Sequence, residues 1–68
     1  MFTVTVAESN SVERSTFNNL PSARDYVSTV VDMYQDSDGI EVRRGKRIVK
    51  VVDIFQRETV AIIRLEVN

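Results

Sequence analysis

The stretch from Ile40 to Val67 constrains the fold most, because it is rich in β-branched residues and contains no proline. β-Branched side chains favour strands. Two polar turn signals, at residues 44–47 and 56–59, interrupt the stretch. The pattern therefore predicts three consecutive antiparallel strands, over residues 40–44, 47–55 and 59–67.

The first of these turns contains the sequence Arg-Arg-Gly-Lys-Arg, from Arg43 to Arg47. A type II′ turn takes glycine as the first of its two loop residues, which predicts a loop of Gly45 and Lys46. That register places Val42 opposite Val49, Ile40 opposite Val51 and Glu41 opposite Lys50. Apolar residues then face each other on one side of the hairpin and opposite charges on the other.

The middle strand has apolar residues of both parities. Val49 and Val51 share one face, whereas Ile48, Val52 and Ile54 share the other. The apolar face of the last strand suits a register in which Ala61 pairs with Ile54 and Ile63 pairs with Val52. A β-bulge near Val51–Val52 would reconcile this pairing with the first hairpin. The alternative is that both faces of the strand are covered. One helix cannot cover both faces of a sheet, so some apolar surface would be left for a partner or a second copy.

The N-terminal half predicts a hairpin followed by one helix. Residues 2–6 alternate between apolar residues and threonine, residues 8–11 form a turn, and residues 12–17 tolerate a second strand. Pro21 suits a first helical turn, with Asn19 or Ser22 as the N-cap. Gly39 is predicted to stop the helix. An apolar stripe along the helix comprises Leu20, Ala23, Val27, Val30, Val31 and Tyr34.

These elements predict a single small α+β domain over residues 1–68. An antiparallel sheet of four to five strands carries one helix on one face, in the order β-β-α-β-β-β. The predicted core comprises Val4, Val6, Leu20, Ala23, Val27, Val30, Val31, Ile40, Val42, Val49, Val52, Ile54, Ile63 and Leu65.

The residue inventory argues against catalysis. The chain has no Cys and no His, which removes thiolate chemistry, disulfides and the commonest general base. The sequence Asp36-Ser37-Asp38-Gly39 has part of a calcium-loop pattern, but Tyr34 and Gly45 occupy positions where that pattern requires carboxylates. We therefore expect no enzyme activity, no catalytic residue, no metal site and no cofactor.

Two charged sets are the candidate binding residues. The basic set, Arg43, Arg44, Lys46 and Arg47, is either the charged tip of a hairpin or a contact for nucleic acid or an acidic partner. The acidic set is either a solvated helix face or a surface that docks on a basic protein partner. It comprises Asp25, Asp32, Asp36, Asp38 and Glu41.

The expected location is the cytoplasm. The N-terminus has no cationic start followed by an apolar core, so it does not resemble a signal peptide. No stretch approaches the ~18 apolar residues of a membrane-spanning helix. The net charge of −1 argues against wholesale binding to nucleic acid, although a local basic patch remains compatible with it.

In outline, this layout of hairpin, helix and strands, in a chain without Cys, His or Trp, resembles small phage-encoded inhibitors. Anti-CRISPR proteins and phage inhibitors of host RNA polymerase are similar in size and style. The resemblance covers the whole chain as an outline and transfers no residue. It implies a non-catalytic protein-binding module that occupies a surface of a host complex, in the host cytoplasm. The alternatives are a nucleic-acid-binding protein that uses the hairpin tip and a structural homo-oligomer, such as a dimer closed through the apolar strand face.

Overall fold

The computed structural model describes residues 1–68 and contains one helix and five strands. These are β1 (Phe2–Glu8), β2 (Val12–Phe17), α1 (Leu20–Gln35), β3 (Ile40–Arg44), β4 (Ile48–Asp53) and β5 (Glu58–Val67). The strands form one antiparallel sheet in the order β2-β1-β5-β4-β3. The predicted α+β class and element order are confirmed, and the sheet has five strands.

The N-terminal hairpin turns at Ser9 and Asn10. The Glu8 amide donates to the Ser11 carbonyl at 2.8 Å, and Ala7 lies opposite Val12. Val4 and Val6 are buried, as the alternation predicts, while Thr3 and Thr5 lie on the other face of the sheet. The hairpin supplies one edge of the sheet, and β5 pairs with its inner strand.

The helix begins as predicted and ends differently. The Asn19 side-chain oxygen accepts a hydrogen bond from the Ser22 amide at 2.9 Å, so Asn19 is the N-cap. At the C-terminus, Asp36 caps the helix and the Ser37 amide donates to the Tyr34 carbonyl at 3.1 Å. Gly39 has a φ of +78°, but it lies three residues beyond the cap. The prediction that Gly39 stops the helix is wrong, since its left-handed conformation instead directs the chain into β3.

The predicted register of the β3–β4 hairpin is wrong by two residues. Val42 lies opposite Val51, and Arg43 lies opposite Lys50. The loop residues are Lys46 and Arg47, the Gly45 amide donates to the Ile48 carbonyl at 2.7 Å, and no loop residue has a positive φ. The turn is therefore not type II′. The observed register adds the pair Ile40–Asp53, so that β3 pairs with β4 from Val49 to Asp53.

A bulge lies between Val51 and Val52, as predicted, but the strand pairing beside it differs. Ile63 pairs with Val49 and Ala61 pairs with Val51. Val51 is consequently fully buried, whereas Val52 is not in the core and Ile54 is 50% exposed. The core predictions for Leu20, Val52 and Ile54 are wrong. Leu20 and Val52 are only half-buried, and neither packs against the core.

The middle strand ends earlier than predicted because Asp53 starts a turn. Its carboxylate accepts hydrogen bonds from the amides of Phe55 at 2.9 Å and Gln56 at 3.1 Å. These bonds draw the backbone away from the ladder. Arg57 completes the turn with a φ of +58°.

The core lies between α1 and one face of the sheet. Its buried members are Val4, Val6, Ala23, Val31, Val49, Val51, Ala61 and Ile63. Phe17 and Tyr26 add an aromatic contact at the edge, with their ring centroids 5.4 Å apart. Because one helix covers one face, the other face of the sheet has no element packed on it.

Candidate protein-binding surface

A groove runs between the N-terminal half of α1 and the β3–β4 turn. Its floor is apolar and comprises Val27, Val49, Ile63 and Leu65, and Ile48 at the start of β4 also lines it. Its rim carries Arg24, Arg44, Lys46 and Arg47, and the enclosed volume is about 240 Å³. We call this surface the basic groove.

Strand alternation and helix periodicity place the rim residues. Ile40 and Val42 pack against the core, so Arg44, two residues further along β3, lies on the same side of the sheet as the helix. Arg24 lies three residues before Val27 on α1, and residues at that spacing share a helix face. The fold thereby brings a cation from the helix to cations from the turn.

The charges of the basic groove have no partner within the chain. The chain has one ion pair, which joins Arg43 and Glu41 at 3.1 Å. None of the four rim cations lies within 4.0 Å of a carboxylate oxygen. Like charges that are close together repel each other, and only solvent moderates that repulsion here. The groove therefore presents uncompensated positive charge directly above buried apolar side chains.

The structure divides the predicted basic set between two surfaces. Arg44, Lys46 and Arg47 line the basic groove, whereas Arg43 lies on the opposite face of the sheet beside Glu41. Arg24 also lines the groove, although the predicted basic set did not include it. The available signal was its spacing from Val27, although that spacing does not specify which strand end the residue meets.

The predicted acidic set is also divided. Asp25 and Asp32 are exposed on α1, and Asp36 and Asp38 are exposed in the turn that follows it. Glu41 lies apart from them on the other face of the sheet, where it pairs with Arg43. The five carboxylates therefore do not form one surface.

A second groove lies between the C-terminal half of α1 and the N-terminal hairpin, and it is acidic. Glu8, Glu13, Tyr26 and Tyr34 line it, beside a 72% exposed Met33. The Tyr34 hydroxyl donates a hydrogen bond to the Glu8 carboxylate. Burial, together with that hydrogen bond and the Glu8 charge, raises the pKa of Tyr34 to about 12. The two grooves give the molecule a positive side and a negative side.

The uncovered face of the sheet, which we call the open face, is apolar at its centre and basic around it. The half-buried residues Ala7, Ile48, Val52 and Ile62 point away from the helix. The cations on this face are Arg14, Arg43, Lys50 and Arg64, and the carboxylates are Glu41 and Glu66. Arg14 and Arg64 both lie opposite Thr5, on its two sides.

No group of three or more carboxylates lies close enough together to hold a metal ion. No helix of the chain is both long enough and apolar enough to cross a membrane. Comparisons with protein-family models, with curated proteins and with solved structures found no match.

Proposed function

We propose that this chain is a small non-catalytic protein-binding module, which acts by occupying a surface of a larger protein complex. The observation that supports this proposal best is the basic groove, in which four unpaired cations surround an apolar floor. Such a combination of a buried apolar centre and a charged rim is typical of protein interfaces. The outline resemblance to phage-encoded inhibitors extends the proposal to a host complex in the cytoplasm.

The residue chemistry of the groove favours binding over catalysis. Three of its four charged groups are arginines, whose side chains do not lose their protons at physiological pH. No carboxylate lines the groove, so no acid–base pair lies within it. Arginine is enriched at protein interfaces because its planar group forms paired hydrogen bonds with carboxylates.

A second candidate function is nucleic-acid binding through the open face. Its support is the set of cations Arg14, Arg43, Lys50 and Arg64, which spread across the sheet from one edge to the other. No aromatic side chain lies among them, so bases would have no stacking platform. The net charge of −1 also weakens long-range attraction to phosphates. We therefore place this function second.

Self-association through the open face is the least supported candidate. A two-fold interface brings the same patch of both copies together. The centre of the open face is apolar, but Lys50 lies directly opposite Ile62, and Arg64 lies two residues further along β5 on the same face. A second copy would bring these cations towards their own counterparts, which disfavours a dimer closed through this face.

The test compares two double variants that change the net charge equally. Arg44→Glu with Lys46→Glu reverses the basic groove, and Arg14→Glu with Lys50→Glu reverses two cations of the open face that lie outside the groove. We expect tagged wild-type protein to capture a stoichiometric protein from nuclease-treated host lysate. The groove variant should lose that protein and the open-face variant should retain it.

The opposite pattern of losses would support nucleic-acid binding through the open face. If the wild-type chain shifts an oligonucleotide in a salt-dependent gel assay and only the Arg14 and Lys50 variant abolishes the shift, nucleic-acid binding replaces our proposal. A lysate that yields no stoichiometric protein would also count against a protein-binding module. Light scattering on the same samples reports whether the chain binds itself.

A further inference from the structure

We infer that the basic groove binds an acidic, extended protein segment and takes one apolar side chain of that segment onto its floor. This inference rests on the proposed function and specifies its partner. It combines three features of the molecule: the apolar floor, the continuation of the groove around the hairpin tip and the unpaired cations.

The floor is suited to one apolar side chain. Ile63 is 1% exposed and Val49 is 8% exposed, so the bottom of the groove is the surface of the core itself. The volume of about 240 Å³ is below the roughly 300–1,000 Å³ of pockets that hold drug-sized ligands. A single side chain that covers this floor would remove the exposed apolar surface of the half-buried Val27 and Leu65 from water, which favours binding.

The groove continues beyond the hairpin tip, which favours an extended chain over a compact anion. A second, open trough shares Lys46, Arg47, Ile48 and Leu65 with the basic groove. It leads past Arg64 and Glu66 towards the C-terminal end of β5. A segment that follows this path meets cations first and a carboxylate last. Its acidic residues should therefore lie around the apolar floor, against the four rim cations, and not beside Glu66.

Charge complementarity favours carboxylates in the partner. Arg24, Arg44 and Arg47 can each donate two hydrogen bonds to one carboxylate, a geometry that a single point charge does not provide. No residue of the groove is aromatic, so a nucleic-acid base would find no ring on which to stack. An acidic protein segment satisfies both the charges and the apolar floor.

The direct test uses a synthetic fluorescent peptide with one central leucine flanked by aspartate and glutamate. Anisotropy titration should show saturable binding to the wild-type chain. Arg24→Glu should weaken binding by about tenfold, which corresponds to about 1.4 kcal/mol. Arg14→Glu is the matched control, because it makes the same charge change on the open face and should alter the affinity less than twofold. Circular dichroism melts confirm that both variants are folded.

Two altered peptides and one oligonucleotide separate the parts of the inference. Replacing the leucine by serine should weaken binding, and replacing the acidic residues by asparagine and glutamine should abolish it. Equal affinity of the serine peptide would remove the apolar anchor from the inference. An oligonucleotide that binds with the same dependence on Arg24 would overturn the inference that the partner is an acidic protein segment.

A failure of this inference is distinguishable from a failure of the proposed function. If the peptide does not bind while the captured protein remains sensitive to Arg44 and Lys46, the partner class is wrong and the protein-binding function stands. If neither the peptide nor the captured protein depends on these cations, both proposals fail. Binding of the peptide that is unaffected by Arg24→Glu assigns it to another surface and contradicts the inference.

Discussion

At the scale of single residues, two backbone positions hold left-handed conformations, and only one of them is glycine. Gly39 has a φ of +78° and Arg57 has a φ of +58°. A side chain at Gly39 would also meet the Phe55 ring, because its Cβ atom would lie 2.4 Å from two ring carbons. Gly39 is therefore favoured chiefly by its backbone conformation, and the Phe55 ring would have to move to admit a Cβ atom.

Gly39→Ala should lower the free energy of unfolding by about 1–2 kcal/mol, the usual cost of a left-handed conformation in a residue with a Cβ atom. The Phe55 ring is 76% exposed and can move aside, so the backbone term should dominate. Arg57→Gly is the matched control. It should be neutral or stabilising, because glycine adopts the positive φ of position 57 without steric strain. Urea unfolding measures both changes, and equal losses in the two variants would contradict the assignment.

The Tyr34–Glu8 contact links the helix to the first strand through one hydrogen bond. The pKa of Tyr34 is raised from 10.0 to about 12, so the folded chain favours the protonated hydroxyl more strongly than the unfolded chain does. The resulting stabilisation is complete below pH 10 and is lost as the pH rises towards about 12.

Tyr34→Phe should therefore remove part of the alkaline loss of stability. Thermal melts between pH 9 and 12 should fall less steeply for the variant than for the wild-type chain. Near-ultraviolet titration of the phenolate should also lose its late phase. If the two chains show the same pH dependence, the contact does not stabilise the fold.

At the scale of elements, the bulge in the β4–β5 ladder decides which valine enters the core. Val51 is fully buried opposite Ala61, while Val52, its neighbour in sequence, lies opposite Glu41 on the open face. Consecutive strand residues point to opposite faces, so a ladder shifted by one residue would exchange their roles. The sequence contains apolar residues at both positions and therefore supports either arrangement locally.

Val51→Ala should cost about 2 kcal/mol of stability, because it deletes methyl groups from a fully buried site. Val52→Ala removes the same groups from the open face and should cost less than half as much. The comparison of the two denaturation midpoints checks the observed register, and a larger loss at Val52 would restore the register predicted from the sequence.

At the scale of the whole molecule, the helix divides the surface into regions of opposite charge. The basic groove lies along one side of α1 and the groove lined by Glu8 and Glu13 lies along the other. A net charge of −1 conceals this separation, because it sums over both sides. Local fields of this kind steer partners and fix their orientation. Both binding proposals therefore belong to this scale, since no single element carries the groove.

Small size has a separate consequence at this scale. A domain of about 60 residues buries only about 60% of the surface that its unfolded chain exposes. Eight residues of this chain are buried, and most of its other apolar residues remain half-exposed at the edges of the core. A partner that covers such an edge would stabilise the fold by mass action.

The sequence by itself determined the elements of this protein and their order. Alternation of period two, a helical stripe with the Asn19 cap and the turn residues act within a few positions, so they can be recognised locally. The bulge near Val51 was also predicted, because apolar residues changed parity within one strand.

Only the tertiary structure decided the registers and the site. A shift of two residues in the β3–β4 hairpin leaves every side chain on its face, so the local pattern is the same for both registers. The choice depends on how fully β4 pairs with both neighbours. Likewise, Arg24 joins Arg44, Lys46 and Arg47 only because α1 packs across the sheet at that point. Such contacts join residues far apart in the chain, and the spacing of residues within one element carries no information about them.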